Sequence, residues 1–398
     1  MKRVNAIVGQ SGGPTAAINA TLAGVIAGAR ESGAIGTLYG AYNGVEGILS
    51  ERLCDLNEKV SPCDLALLRN TPAAALGSCR LKLTGGEQFD RLFALFDRLD
   101  IGYFFYIGGN DSMDTVAQLS AEAEKRNSPV RFIGVPKTID NDLVLTDHTP
   151  GYGSAAKFVA TVLREIRRDC AVYTKPAVTV VEIMGRDSGW LTAAAALTDV
   201  DGLYLPERVF EMDVFLADVK QALTRHPDVL IAVSEGIRDR EGTYIGAAGY
   251  KGSDIFGHVN LSGAGKALEL FVKEKLGVKV RSVELSVLQR CAAHIASETD
   301  LNEGEAVGRA AVETALEGKS GVMMAIVRKS NAPYAVEMAA VDAAKVANQA
   351  KVIPDDWINE HGNGVTEACV DYIRPLIVGE PSLVYENGLP KQFVISRD

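Results

Sequence analysis

The stretch Tyr103–Asp142 reads YFFYIGGNDSMDTVAQLSAEAEKRNSPVRFIGVPKTIDND. Its first five residues, Tyr103–Ile107, are apolar or aromatic without a break, which predicts a buried strand. The run stops at Gly108-Gly109-Asn110-Asp111-Ser112. Beyond it, Met113, Val116, Ala117 and Leu119 fall toward one face of a helix. A second short apolar run, Phe132–Val135, ends in Pro136-Lys137-Thr138-Ile139-Asp140-Asn141-Asp142. In a parallel α/β sheet, ligands bind just beyond the carboxyl ends of the strands. Two successive strands therefore deliver two glycines, three acids, two amides and a lysine to one edge. That set suits a polyanion, a metal ion and a proton acceptor.

The same layout recurs along the chain. Val4–Val8 predicts a strand, followed by Gly9-Gln10-Ser11-Gly12-Gly13-Pro14 and an alanine-rich helix ending at Gly33. Such a loop aims backbone N–H groups and a helix N-terminus at phosphate. It lacks the GK[ST] of a Walker loop and is no clean GxGxxG, so a plain tight turn between strand and helix stays open. Thr179–Leu197 again reads strand, glycine turn, helix, with Met184-Gly185-Arg186 at the turn. Val229–Val233 predicts a strand ending in Ser234-Glu235-Gly236. Four such repeats argue for doubly wound sheets. Residues 35–60 read as turn-rich and 242–265 as loop. Val278–Leu285 predicts a strand, with Val287-Leu288-Gln289-Arg290 after it, Ala306–Leu316 a helix, and residues 321–329 a strand. The last 55 or so residues mix a turn at VIPDDW with short surface strands.

The bulk numbers narrow the class. At 398 residues the chain is long for one core, so two α/β domains are expected. The net charge of −10 comes with no long run of Lys or Arg, which argues against a nucleic-acid partner. An anionic substrate must then be held by a few placed cations. Met-Lys-Arg followed by VNAIVG is too short for a secretory leader, and no stretch reaches 18 uninterrupted apolar residues, so no membrane span is expected. Six cysteines without CxxC spacing read as thiols of a cytoplasmic protein. Five histidines without paired spacing give no zinc site.

Asp140 and Asp142 alternate, so on an extended backbone both face one side. Two close carboxylates repel, which raises the basicity of one of them. One then serves as proton acceptor while the other orients the substrate or helps a metal; a solvated DND turn is the plain alternative. In Leu76-Gly77-Ser78-Cys79-Arg80, the planar fork of Arg80 suits phosphate oxygens, and an ordinary surface arginine fits as well.

Taken together, GSCR, GGNDS, PKTIDND and MGRDSGW in this order resemble the phosphofructokinase family, over most of the chain from SGGP at 11–14 to LQR at 288–290. The resemblance implies two Rossmann-like three-layer α/β domains with largely parallel sheets, facing across an active-site cleft. Residues 1–150 with about 290–345 would form the phosphoryl-donor domain. Residues 151–289 with part of the C-terminal tail would form the sugar-phosphate domain. It implies that Asp140 takes the proton from the 1-hydroxyl of fructose 6-phosphate, supported by Asp142, with Thr138 at the transferred group and Ile139 among the substrate-binding residues. Met184, Gly185 and Arg186 match the sugar-phosphate MGR, and Glu235 the acid that hydrogen-bonds the sugar. Arg281 and Arg290 match arginines that grip the 6-phosphate, with Val287, Leu288 and Gln289 in the same motif. Gly12, Gly13 and Arg80 match the donor-phosphate groups. Mg2+ is the implied cofactor, at Asn110 and Asp111, and a homodimer or homotetramer the implied assembly.

Two positions address the donor. ATP-using members typically read GGDGS and PGTIDND, with glycine where this chain has Asp111 and Lys137. A carboxylate at Asp111 would repel the α-phosphate of ATP. Lys137 would neutralise charge on the leaving phosphate. Both resemble the pyrophosphate-dependent enzymes, which implies pyrophosphate as the donor. The pattern departs in places. Asn110 stands where pyrophosphate enzymes often have Asp, Val287 where the family often has His or Tyr, and Ala177 where ATP enzymes lend an arginine across a subunit interface. Ala23 and Ala27 replace effector-binding arginines, so no nucleotide effector site of that kind is expected. The competing readings are an ATP-dependent kinase, a wider acceptor such as sedoheptulose 7-phosphate, a non-catalytic sugar-phosphate-binding subunit, and a dinucleotide oxidoreductase. The intact acids of TIDND count against the subunit. The absence of a well-placed acid after the first glycine loop counts against the oxidoreductase.

Overall fold

The unbroken apolar run at Tyr103 forms β4 (Ile101–Gly108), near the middle of a seven-stranded sheet in a computed structural model that describes residues 4–172, 174–246 and 263–396. Its companions are β1 (Val4–Gln10), β2 (Ile35–Ala41), β3 (Leu53–Asp55), β5 (Arg131–Pro136), β10 (Val322–Asn331) and β11 (Tyr334–Asp342). The order is β11-β10-β5-β4-β1-β2-β3. The pairs from β2 through β10 are parallel, and the two edge strands β3 and β11 are antiparallel. A second sheet has the order β7-β8-β6-β9, from Gly202–Tyr204, Asp228–Ser234, Ala177–Ile183 and Lys279–Glu284, and is parallel throughout.

Helices cover both faces of each sheet, as parallel strands require. On one face of the large sheet, Ile18–Ser32 and Glu298–Leu316 pack over Val8, Phe105 and Val135. On the other, Glu87–Arg98 and Asn110–Arg126 pack over Phe104, Tyr106 and Phe132. Along β6 the alternation is plain. Val181 and Ile183 meet the helix Tyr152–Cys170 and tail residues Tyr372, Ile373 and Leu376. Val178 and Val180 meet the helices Met212–Arg225 and Ala264–Leu276. The chain crosses from the large sheet to the small one between Pro136 and Tyr152 and is back against the large one by Glu298.

Residues 35–60, expected to be turn-rich, instead contain β2 and β3. Gly36 and Gly40 break the apolar pattern. Gly40 is required by packing, since a Cβ there would lie 2.7 Å from Leu76 Cδ2. The helix expected within Thr179–Leu197 is only Trp190–Ala193 with a 3-10 turn, Ala194–Leu197, after it. The expected loop 242–265 lies mostly outside the described residues.

The helix pair Ile18–Ser32 and Glu298–Leu316 meets through glycine. A Cβ on Gly24 would sit 2.1 Å from the Glu305 carbonyl oxygen, and one on Gly308 2.3 Å from that of Thr21. Because the obstacle is helix backbone, no rotamer relieves it. Gly24→Ala is therefore expected to cost about 2–3 kcal/mol through overpacking, read as a lower urea midpoint; an unchanged midpoint would refute this packing.

Candidate active site

The carboxyl ends of β1, β4, β5, β6 and β8 open on one cleft of about 450 Å³, lined from both sheets. From the large sheet come Gly12 and Gly13 after β1, Asn110 and Asp111 after β4, and Lys137, Thr138, Asp140 and Asp142 after β5. From the small sheet come Met184 and Arg186 after β6 and Glu235 after β8, with Arg290 beyond β9 and Arg80 from an irregular segment.

Gly12 has a φ of 77°, a backbone that glycine adopts freely. Its lack of a side chain also lets two cations in. A Cβ on Gly12 would lie 3.2 Å from Lys137 Nζ, and one on Gly13 3.3 Å from Arg290 Nη1. Lys137 is buried and donates to the Gly13 carbonyl at 2.7 Å. Burial lowers its pKa to about 8, against the pull of Asp140 and Asp142 to raise it. The ammonium is therefore still charged at neutral pH.

Burial pushes the Asp140 carboxyl above the ordinary range, opposed by Lys137, Thr138, Arg186 and Arg290. Asp142 rises to about 7, by burial first and then by the charge of Asp140. The backbone around them is held. Asp140 N–H donates to Thr138 Oγ1 at 3.1 Å, and Ser188 Oγ donates to the Asp140 carbonyl at 3.0 Å. Glu235 is raised to about 7 by burial while it accepts from Gly185 N–H at 3.3 Å. Three carboxyls of raised basicity thus share the cleft with Arg80, Lys82, Lys137, Arg186 and Arg290, an arrangement suited to moving a proton beside a polyanion.

Asn110 Nδ2 donates to Asp142 Oδ2 at 3.3 Å, and its Oδ1 is buried without a hydrogen-bond partner. Asp111 is next to it, in the first turn of the 17-residue helix Asn110–Arg126. An orphaned amide oxygen beside a carboxylate fits a hard cation. Among the described residues, no three His, Cys, Asp or Glu gather as a metal site. A magnesium ion here would therefore draw most of its oxygens from substrate and water.

Some expected residues lie elsewhere. Arg281 is outside the cleft: its Nη1 pairs with Asp169 Oδ2 at 3.0 Å, and it borders a separate pocket near the start of β6 and β9. Val287 and Leu288 are exposed at 49% and 56% and do not line the cleft. Gln289 is buried and accepts from Met184 N–H at 3.4 Å, so it braces the Met184 turn rather than facing the cleft. Ile139 points into the apolar cluster of the small sheet. The cleft also takes Ser11, Lys82, Asp187, Ser188 and Ala350, which were not expected. Ser11, Asp187 and Ser188 sit inside the quoted motifs, and Lys82 alternates with Arg80. Nothing in the sequence points to Ala350.

Known proteins carry the same organisation. Residues 5–315 match the family described as Phosphofructokinase. Pyrophosphate–fructose 6-phosphate 1-phosphotransferase of Methylococcus capsulatus is 43% identical over 97% of this chain and 94% of its own. The protein of that name from Halomonas elongata is 44% identical over 98% and 96%. The crystal structure of pyrophosphate-dependent phosphofructokinase from Nitrosospira multiformis superposes with a TM-score of 0.91 at 39% identity, over 100% of this chain and 97% of that one. With its two wound sheets, its shared cleft and these relatives, this chain belongs to the phosphofructokinase family.

Proposed function

We propose that the chain transfers a phosphoryl group reversibly from pyrophosphate to the 1-hydroxyl of fructose 6-phosphate, giving fructose 1,6-bisphosphate and phosphate. The observation that carries the donor choice is the pair Asp111 and Lys137, both in the cleft wall, with the Lys137 ammonium against the Gly13 carbonyl. A carboxylate at Asp111 disfavours a nucleotide chain. Pyrophosphate has no adenosine to bind, so charge must hold it.

Asp140 accepts the hydroxyl proton, the freed oxygen attacks phosphorus in line, and the bridging P–O bond breaks to release phosphate. Lys137 and Arg80 stabilise charge on the bridging and leaving oxygens, and Gly12 and Gly13 give the donor close access to backbone N–H groups. Arg186 and Arg290 hold the sugar phosphate, with Met184, Gly185 and Glu235 at the sugar and Thr138 at the transferred group. Arg281 pairs with Asp169 and lies outside this chain's own cleft. Mg2+ would be held at Asn110 and Asp111 and, when bound, neutralises pyrophosphate. Positioning and charge neutralisation carry most of such a catalysis. In this reading residues 1–150 with about 290–345 hold the donor, and 151–289 with part of the tail hold the sugar. The enzyme is cytoplasmic and a homodimer or homotetramer. Among the described residues no helix is long and apolar enough to cross a membrane.

The test is phosphorylation of fructose 6-phosphate with Mg2+, offered pyrophosphate and ATP in parallel. Activity with pyrophosphate alone is expected; activity with ATP alone overturns the donor assignment. The pH dependence follows from the raised carboxyls and the lowered lysine. The base must be unprotonated, so kcat/KM falls on the acid side as Asp140, raised above the ordinary carboxyl range, and Asp142, raised to about 7, gain protons. Lys137 must be charged, so kcat/KM falls again above about pH 8. A profile flat from about pH 5 to 9 would contradict both assignments.

A further inference from the structure

Asn141, between the two catalytic acids, is fully buried with a φ of 54°. That left-handed backbone is uncommon for a residue with a side chain, though asparagine tolerates it best. Its amide is occupied on both sides by the C-terminal part of the chain. Lys351 Nζ donates to Asn141 Oδ1 at 3.3 Å, and Asn141 Nδ2 donates to Tyr372 Oη at 2.9 Å. Tyr372 Oη donates to the Asp147 carbonyl at 2.7 Å, and Lys351 Nζ reaches the Thr146 carbonyl at 3.3 Å. The Lys351 backbone adds to this. Its N–H donates to the Asp142 carbonyl at 2.7 Å, and its C=O accepts from Trp190 Nε1 at 3.0 Å. The ammonium also lies 5.2 Å from the Trp190 ring centroid. One residue thus grips the loop 138–147 and ties it to the segment after β6. The match to the family ends at residue 315, so both clamp residues lie beyond it.

We propose that Lys351 and Tyr372 are positioning residues for phosphoryl transfer, clamping Asn141 so that Asp140 and Asp142 are presented together to the cleft. The proposal rests on the reading of Asp140 as the base. Burial lowers the ammonium to about 8, with Asp147 and Asp142 raising it and Arg328 lowering it, so it keeps its charge at neutral pH. Lys351 Nζ also donates to the Asp147 carbonyl at 2.5 Å, and three acceptor oxygens on one loop are more than a core filler needs. Small misplacements of a catalytic group cost on the order of 10²-fold in rate.

The test uses the full chain with Lys351→Met, which keeps the apolar stem against Trp190 and removes the donors. Tyr372→Phe, which removes only the hydroxyl, is the second variant should the first fail to fold. For Lys351→Met, kcat is expected to fall about 10²-fold with KM for both substrates within about threefold. Amide hydrogen exchange should quicken in residues 138–147 and not in β1 or β8. Combined with Asn141→Gly, the losses should not add, because both substitutions break one contact. Unchanged exchange in 138–147 in the folded variants overturns the clamp. Faster exchange with unaltered kcat, a rise in KM that accounts for the lost kcat/KM, or additive losses overturns its catalytic role. If the unmodified chain uses neither donor, the functional reading falls, and the exchange measurement still decides the clamp.

Discussion

Asp140→Asn lowers kcat by about 10³-fold, within the range that a positioned general base contributes, and leaves the fold intact. The substitution keeps the shape of the side chain and its contact with Thr138, and removes only the basic oxygen. Structural damage can be separated from loss of the base by the sign of the stability change. The pKa of Asp140 is raised in the folded chain, so its charged form is disfavoured there. A raised carboxyl lowers stability as pH climbs from its unfolded value through its folded one. At pH 8 the neutral amide should therefore be as stable as the carboxylate or more so, while kcat collapses. A variant that loses activity and stability together, or one that keeps more than about a tenth of its kcat, would remove Asp140 from the role of base. Asp142→Asn should cost less, because Asp142 supports Asp140 and does not itself take the proton, although it also accepts from Asn110.

Sequence and structure agree where one local signal decides the outcome. The unbroken runs at Tyr103–Ile107 and Phe132–Val135 became β4 and β5 within two residues of their expected ends. The polar turns after them met in the cleft, because parallel strands place all their carboxyl ends on one edge. Where register decides, the motif did not show that Arg281 would lie outside this chain's own cleft. β9 pairs with β6 so that Arg281 faces Thr179, near the start of both strands, and far from the edge that holds Arg186 and Glu235. A motif gives the residue type but not its height along the strand. β2 was hidden because Gly40 answers to Leu76 and Leu56, distant in sequence, and not to its own neighbours. The clamp on Asn141 was hidden for the same reason. Its partners are 210 and 231 positions away, and no periodicity in the tail marks them.

Lys137 should be nearly as costly to lose as the base, and for a reason that also decides the donor. Its ammonium is the cation that touches both sides of the reaction: it donates to the Gly13 carbonyl at 2.7 Å, and its charge acts on Asp140 and Asp142. In the proposed reaction Lys137→Met therefore removes the group that would meet the leaving phosphate, and it takes from Asp140 the largest charge that holds its pKa down. The pyrophosphate reaction is expected to fall about 10²–10³-fold in kcat, the loss seen when a preorganised charge is withdrawn from a transition state. The base should also titrate higher, so the acid limb of the pH profile moves up. Lys137→Gly together with Asp111→Gly asks a different question. It removes both the buried cation that pyrophosphate needs and the carboxylate that opposes a longer phosphate chain, and it leaves Asp140, Arg186 and Arg290 in place. The ratio of ATP to pyrophosphate activity should rise at least about 10²-fold, since one change weakens the old donor and the other lifts repulsion from the new one. Specificity is a difference of two free energies, so the ratio is the quantity to read, even if both absolute rates are low. An unchanged ratio in a folded double variant would mean that the donor is chosen elsewhere in the cleft, with Arg80 and Lys82 the next residues to change.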